Sequence, residues 1–333
     1  MIPRRDVIIG LVLLALAGAL PFLGFSRYVV TQVTVLFIWA TVVTQWNLVF
    51  GVAGIFSLAQ MALFAVGGYA TAMLGLYLEW NLWFALPVAG LAAVAFSLFV
   101  GLACLRLSGA YVALLTLAIA YMLFLLIVTD SECVWYEGAT CRSLTEGWRG
   151  LGRYGDFGFR DWLGGQFIVG NYFLALALLA LAMLFSIVII HSPIGMAFRA
   201  LRDNPAYAVA RGISRFKYQL LVFACSAFFT GLAGSVYAGN FKVIGPNVLQ
   251  LPLLLFLISM MIVGGVGTVW GPLVGAVLLM GADELLKEDA FADARAMGLG
   301  VLLAAFVVLM PKGVVGTIDG WLERRRNRAA GAR

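Results

Sequence analysis

Five polar side chains, Gln60, Tyr69, Tyr111, Thr116 and Ser226, interrupt stretches of sequence that are otherwise apolar. An amide or hydroxyl surrounded by lipid has few partners, whereas a transport route supplies water or substrate, so all five are candidates for a translocation pathway. Each could equally close a hydrogen bond between two helices, and residue type does not choose between the two. The chemistry on offer is hydrogen bonding. No acidic residue pairs with a histidine inside an apolar stretch, and the single histidine, His191, falls at the edge of one, which speaks against a proton relay and against a metal site. Neither a G-x-x-x-x-G-K-[ST] phosphate loop nor H-E-x-x-H occurs, so the chain carries no recognisable nucleotide site and reads as no enzyme. Of the four cysteines, Cys104 and Cys225 read as small packing residues. Cys133 and Cys141 share the one long polar loop and are candidates for a disulfide if that loop faces an oxidising compartment.

The elements that must position these residues are membrane helices. The chain has 333 residues, 63% apolar and 11% charged, with a mean hydropathy of +1.01. Such a composition excludes a soluble enzyme. The apolar runs are continuous over about 20 residues instead of alternating over about 10, which excludes an outer-membrane barrel. The net charge of +6 does not indicate nucleic acid, because the basic residues follow the gaps between apolar segments.

Apolar passes are expected at Val7–Gly24, 29–50, 52–78, 82–105, 109–129, 169–190, 218–239 and about 297–310. The first follows Arg4 and Arg5 and reads as an uncleaved anchor, although Ala17 and Ala19 imitate a cleavage site. The stretch 251–285 reads either as two full spans or as a broken, re-entrant pair around Gly264, Gly265, Gly267 and Gly271, and in both cases it returns to its starting side. These glycines permit a tight reversal and close helix approach, as a structural hinge. The total is about eight to ten transmembrane helices in an all-α polytopic protein. An even number puts both termini on one side, and charge says which: the inner segments carry 14 basic and 4 acidic residues, the outer ones 8 and 12. Basic residues are retained in the cytoplasm, so both termini are expected there. The chain then divides into a single membrane domain over 1–320, including an outer loop at 130–168 and an inner loop at 191–217, and a basic cytoplasmic tail at 321–333.

The inner loop 'HSPIGMAFRALRDNPAYAVARGISRFKYQ' carries helical punctuation. Ser192 with Pro193, and again Asn204 with Pro205, are a cap followed by a proline whose missing N–H costs nothing in the first turn. 'AYAVAR' is a good helix former, and Gly212 can take the left-handed conformation that ends it. A helix of about two turns is poorly stable alone and makes sense if it docks onto something.

Taken together, 'GVAGIFSLAQMALFAVGGYATAML' at 51–74, 'RLSGAYVALLTLAIAYML' at 106–123, 'SPIGMAFRALRDNPAYAVARGI' in the inner loop, 'FACSAFFTGLAGSVYA' at 223–238, 'MMIVGGVGTVWGPLVGA' at 260–276 and 'PKGVVG' at 311–316 resemble the inner-membrane permeases of branched-chain amino acid ABC transporters, of the LivM type. The resemblance covers nearly the whole chain and implies an ABC importer permease fold in a bacterial inner membrane. It implies that Asp203, Asn204, Pro205, Ala208, Ala210 and Gly212, flanked by Arg202 and Lys217, couple the chain to a separate ATPase. It implies a second, LivH-type permease subunit, two ATPase subunits that use ATP and Mg, and a periplasmic binding protein that delivers leucine, isoleucine or valine. Related permeases import urea or short amides, and a secondary carrier is the more distant alternative. The outer loop departs from the family's simpler one by 'TEGWRGLGRYGDFG' at 145–158 and its two cysteines, which leaves substrate range open.

Overall fold

The computed structural model describes residues 4–104, 107, 109–130, 132, 135–137 and 140–286, and towards the C-terminus 298, 300, 304–306, 308–310, 312–318 and 320–321. Cys133 lies outside the described residues, and with it the suggested bond to Cys141, as do part of the last apolar run and most of the basic tail.

The expected all-α, polytopic architecture is present. In chain order the membrane elements are α1 (Arg4–Ala19), α2 (Arg27–Asn47), α3 (Gln60–Tyr77), α4 (Leu82–Cys104) and α5 (Ala110–Val128). The loop after α5 holds a small hairpin of β1 (Trp135–Glu137) and β2 (Thr140–Arg142), a two-residue strand β3 (Leu151–Gly152) and a single turn of helix, α6 (Phe159–Leu163). There follow α7 (Phe167–His191), α8 (Pro193–Asp203), α9 (Pro205–Ala210), α10 (Arg215–Phe241), the strand β4 (Val243–Ile244), α11 (Leu251–Gly264) and α12 (Gly271–Leu285).

Among the described residues, six segments are long and apolar enough to cross a membrane: Asp6–Leu23, Arg27–Val52, Leu82–Cys104, Ala110–Val128, Gly164–His191 and Arg215–Phe241. The glycine-rich region resolves into a hairpin of short helices. With 14 residues, α11 is about 21 Å long, short of the roughly 30 Å hydrocarbon core. Trp270 at the start of α12 donates to Asp6 of α1 at 3.4 Å, whereas Tyr28 at the start of α2 donates to Glu284 near the end of α12 at 2.5 Å. The hairpin therefore leaves and returns to the end of the molecule that carries the 130–168 loop, as expected.

Apolar continuity over 52–78 suggests one uninterrupted pass, and here the structure differs. The end of α2 widens into a π turn over Leu48–Val52, the chain runs without helix from Ala53 to Ala59, and α3 begins only at Gln60. Such a break leaves backbone groups that need partners outside a helix. It has them: Ile55 N–H donates to Val49 O at 3.0 Å, Leu58 N–H to Thr116 Oγ1 at 2.9 Å, and the Trp46 indole to Ser57 O at 2.8 Å.

The core is held by α10 packed against α3 and α4. Small residues allow this approach, since a Cβ on Gly67 would lie 2.3 Å from Gly231 O and one on Gly234 would lie 2.1 Å from Phe64 O. Trp39, Phe64 and Tyr237 fill the space beside that crossing, with ring centroids 4.9 to 5.6 Å apart.

The long polar loop is sewn onto the helix ends. Leu151 pairs with Ile244 and Gly152 with Val243, and both Leu151 and Ile244 are buried. Tyr154 Oη donates to Ala238 O at 2.8 Å, the Trp83 indole donates to Phe157 O at 3.0 Å, and Tyr77 Oη donates to Leu144 O at 2.7 Å. Burial pushes the Tyr154 phenol above its ordinary value, so it stays a donor.

Candidate functional site

The 191–217 loop is built from two capped helices. Ser192 Oγ accepts from Gly195 N–H at 3.4 Å with Pro193 in the first turn of α8, and Asn204 Oδ1 accepts from Tyr207 N–H at 3.0 Å with Pro205 in the first turn of α9. At the far end Ile213 N–H donates to Ala208 O at 3.1 Å and Gly212 N–H to Val209 O at 2.9 Å. This pair of bonds is a Schellman stop, and it requires the left-handed Gly212, whose φ is +88°. The start and stop legible in the sequence are therefore both present.

The loop is anchored by arginines. Arg199 folds back on the α7–α8 corner, its guanidinium donating to Ile190 O at 2.9 Å and Gly195 O at 3.3 Å. Arg202 donates to Gly51 O in the π turn at 2.7 Å and pairs with Asp203 at 3.0 Å. Lys217 is exposed and donates its backbone N–H to the Ser214 cap at 3.5 Å.

Around α9, Asp203, Asn204, Pro205, Ala210 and Gly212 are exposed, whereas Ala208 is buried. Ala208 is only 2% exposed and faces the rest of the chain. Successive positions of an α-helix are about 100° apart, so Ala208 and its neighbours look in different directions. Tyr207 (58% exposed) and Val209 (51%) point outward instead. Arg211 donates to Tyr207 Oη at 2.6 Å and lies 5.1 Å from the Tyr207 ring centroid, which holds both side chains in one orientation.

Two of the five polar candidates, Gln60 and Ser226, meet beside α2, and a third, Thr116, holds the segment that leads into Gln60. Gln60 Nε2 donates to Ser226 Oγ at 3.1 Å and to Thr230 Oγ1, and Ser226 Oγ donates to Gln45 O at 3.0 Å. Thr116 Oγ1 accepts from Leu58 N–H and donates to Val112 O at 2.8 Å. These bonds tie α2, α3, α5 and α10 together at the break. Tyr69 lies nine positions further along α3, about 13 Å away, buried and with no hydrogen-bond partner for its hydroxyl among the described residues. Tyr111, at 69% exposure in the first turn of α5, belongs to no such cluster.

Sequence reasoning missed several members. Gln45 donates to Ala182 O and Ser186 Oγ, each at 3.1 Å, and its Oε1 is buried with no hydrogen-bond partner among the described residues. Asn47 binds the glycine turn with both ends of its amide: Oδ1 accepts from Gly267 N–H at 2.7 Å and Nδ2 donates to Thr268 O at 2.8 Å. Both sit in 'TQWN', and the depth criterion that singled out Gln60 would have found them. The hinge glycines themselves are a contact necessity. A Cβ on Gly264 would lie 1.8 Å from Gly271 O, and one on Gly271 would lie 2.4 Å from Gly265 O. Gly313, of the final 'PKGVVG', backs the same turn, where a Cβ would lie 2.3 Å from Gly265 Cα.

A family model described as the branched-chain amino acid transport system, permease component, matches residues 28–310. The chain is similar to the high-affinity branched-chain amino acid transport system permease protein LivM of Escherichia coli (strain K12), with 27% identity over 96% of this chain and 77% of that protein. It is likewise similar to the protein of the same description in Salmonella typhimurium (strain LT2), at 26% identity with the same coverage. No solved structure matches the chain. With a multi-pass helical fold and a family match spanning most of its length, the chain belongs to the branched-chain amino acid transport permease family and is a membrane-spanning subunit of an ABC importer of the bacterial inner membrane.

Proposed function

We propose that this chain is one of two unlike permease subunits of an importer for branched-chain, hydrophobic L-amino acids, and that α9 is the element on which a separate ATPase acts. The observation that carries the coupling role is the helix between Asn204 and Gly212, closed at both ends and presenting Tyr207 and Val209 outward. A short helix with apolar side chains facing water is unfavourable alone, and it is suited to a groove on a partner. A periplasmic binding protein delivers the amino acid to the 130–168 face. Closure of two ATPases on ATP and Mg presses the 191–217 loop and reverses access, and hydrolysis resets it. The substrate class rests on the relatives' descriptions.

The test is the complex reconstituted with its second permease, ATPases, binding protein and leucine. V209E should keep the permease in the membrane while ATPase retention and leucine-stimulated hydrolysis fall at least ten-fold. Normal retention and stimulation in both V209E and Y207A would sink the coupling role. Stimulation by a short amide but not by leucine would sink the substrate class.

A further inference from the structure

We propose that Arg202 is the positioning residue that carries displacement of the 191–217 loop into the glycine turn between α11 and α12. The inference rests on α9 being the ATPase-facing element and adds the route beyond it.

The route is a chain of direct contacts. The Arg202 guanidinium donates to Gly51 O at 2.7 Å, and its aliphatic stem lies on Gly54, where a Cβ would come within 2.2 Å of Arg202 Cγ. Gly54 has a φ of +70°, so its backbone conformation and the closeness of Arg202 both call for glycine. On the other side of Gly51 stands the turn: a Cβ on Gly51 would lie 2.4 Å from Gly267 N, and one on Gly267 would lie 3.7 Å from Arg202 Nη1. Asn47, four positions before Gly51, clamps Gly267 N–H and Thr268 O with its two amide atoms. Arg202, Gly51, Asn47 and Gly267 are thus linked by direct contacts.

Other ties of α8 differ in kind. Among the described residues Arg199 bonds only within the α7–α8 corner, so it ties α8 to nothing beyond that corner. Phe198, buried against Leu48, Val49 and Val52, makes a greasy contact that tolerates sliding. A charge-assisted bond to one carbonyl has direction, and it fixes register where dispersion does not. Its acceptor sits in a π turn, where the helix ladder is already interrupted and where such turns commonly serve functional sites. Beyond that turn the non-helical segment leads straight to Gln60 and its bonds to Ser226 and Thr230. A push on α9 therefore reaches both the hairpin and the polar interior through one guanidinium.

The experiment uses the full reconstituted complex and three variants, R202Q, R202K and N47A, the last remote from the ATPase-facing surface. Leucine moved per ATP hydrolysed should fall at least ten-fold in R202Q and in N47A, with ATPase subunits still bound, and R202Q combined with N47A should be no worse than either alone. R202K, which keeps the charge but not the fork, should recover part of the loss. Hydrogen exchange in residues 264–271 should change on ATP addition in the wild type and not in R202Q. Unaltered leucine per ATP, an intact exchange response in R202Q, detachment of the ATPases by R202Q, or multiplicative losses in the double variant would each overturn the route. Failure of the docking role would show separately, as full ATPase retention in V209E with Arg202 untouched.

Discussion

Asp156 in the long polar loop and Lys242 at the end of α10 form an ion pair between residues 86 positions apart. The Lys242 ammonium, hydrogen-bonded to the carboxylate, is the main reason Asp156 titrates below the ordinary carboxylate range, against an opposing effect of burial. Together with the β3–β4 pairing, this contact fixes the loop over the helix ends.

The pair predicts a pH dependence of loop protection. Because the folded-state value is depressed, the contribution is complete above the unfolded carboxylate value near 3.8 and is lost as pH falls through the lower folded value. Both side chains are partly exposed, so it is worth at most about 1 kcal/mol. Proteolytic nicking between residues 140 and 166 should be flat from neutral pH down to the ordinary carboxylate range and increase only in stronger acid. D156N should be nicked slightly faster at neutral pH and lack the acid increment; an identical acid profile in wild type and D156N would remove the pair from the account.

Gly212→Val should act through backbone strain alone. Nothing lies within 4 Å of a Cβ there, yet φ is +88°. Forcing a β-branched residue into that region costs about 1–2 kcal/mol or more and removes the two bonds of the Schellman stop. The expected outcome is normal membrane insertion with reduced substrate-stimulated ATP hydrolysis, and G212N should be milder, since asparagine tolerates this conformation. Equal activity in the glycine, asparagine and valine forms would show that the stop is dispensable.

Ala208 gives a different signature from its neighbours. Substituting glutamate puts an unpaired carboxylate into a buried position, which costs several kcal/mol unless it protonates or the helix shifts. A208E should loosen the loop itself, read as faster trypsin cleavage at Arg211 in the isolated permease, whereas V209E should leave that cleavage rate at the wild-type value and affect only the assembly.

Close packing of α3 on α10 predicts a contrast between two glycines. Gly67→Ala would bring a methyl within 2.3 Å of Gly231 O, forcing the helices apart at an overpacking cost of about 1–3 kcal/mol. Gly281→Ala meets nothing within 4 Å and should be neutral or stabilising by up to about 1 kcal/mol. Thermal unfolding in detergent distinguishes them: a midpoint for G67A no lower than that of G281A would contradict the packing argument.

Orientation is testable on two exposed residues at opposite ends. In intact cells a membrane-impermeant thiol reagent should label W162C and leave A206C unlabelled until the membrane is opened. The reverse pattern would invert the assignment made from the charge count.

Much of this organisation is local and therefore legible in the chain itself. Apolar runs of sufficient length become membrane helices because lipid leaves backbone groups no partner outside the helix. The α9 caps could be read from Asn204–Pro205 and Gly212 because cap chemistry needs only neighbours a few positions away. Facing and convergence are another matter. That Gln60 meets Ser226, that Asn47 grips Gly267, and that Ala208 turns inward while Tyr207 turns outward all depend on contacts between residues distant in sequence or on how a two-turn helix lies on its neighbours. The break at 53–59 belongs with these. Its residues are as apolar as those of a helix, and hydrogen bonds that Thr116 and Trp46 bring from elsewhere, with local ones such as that of Ile55 to Val49, supply partners for the unwound backbone.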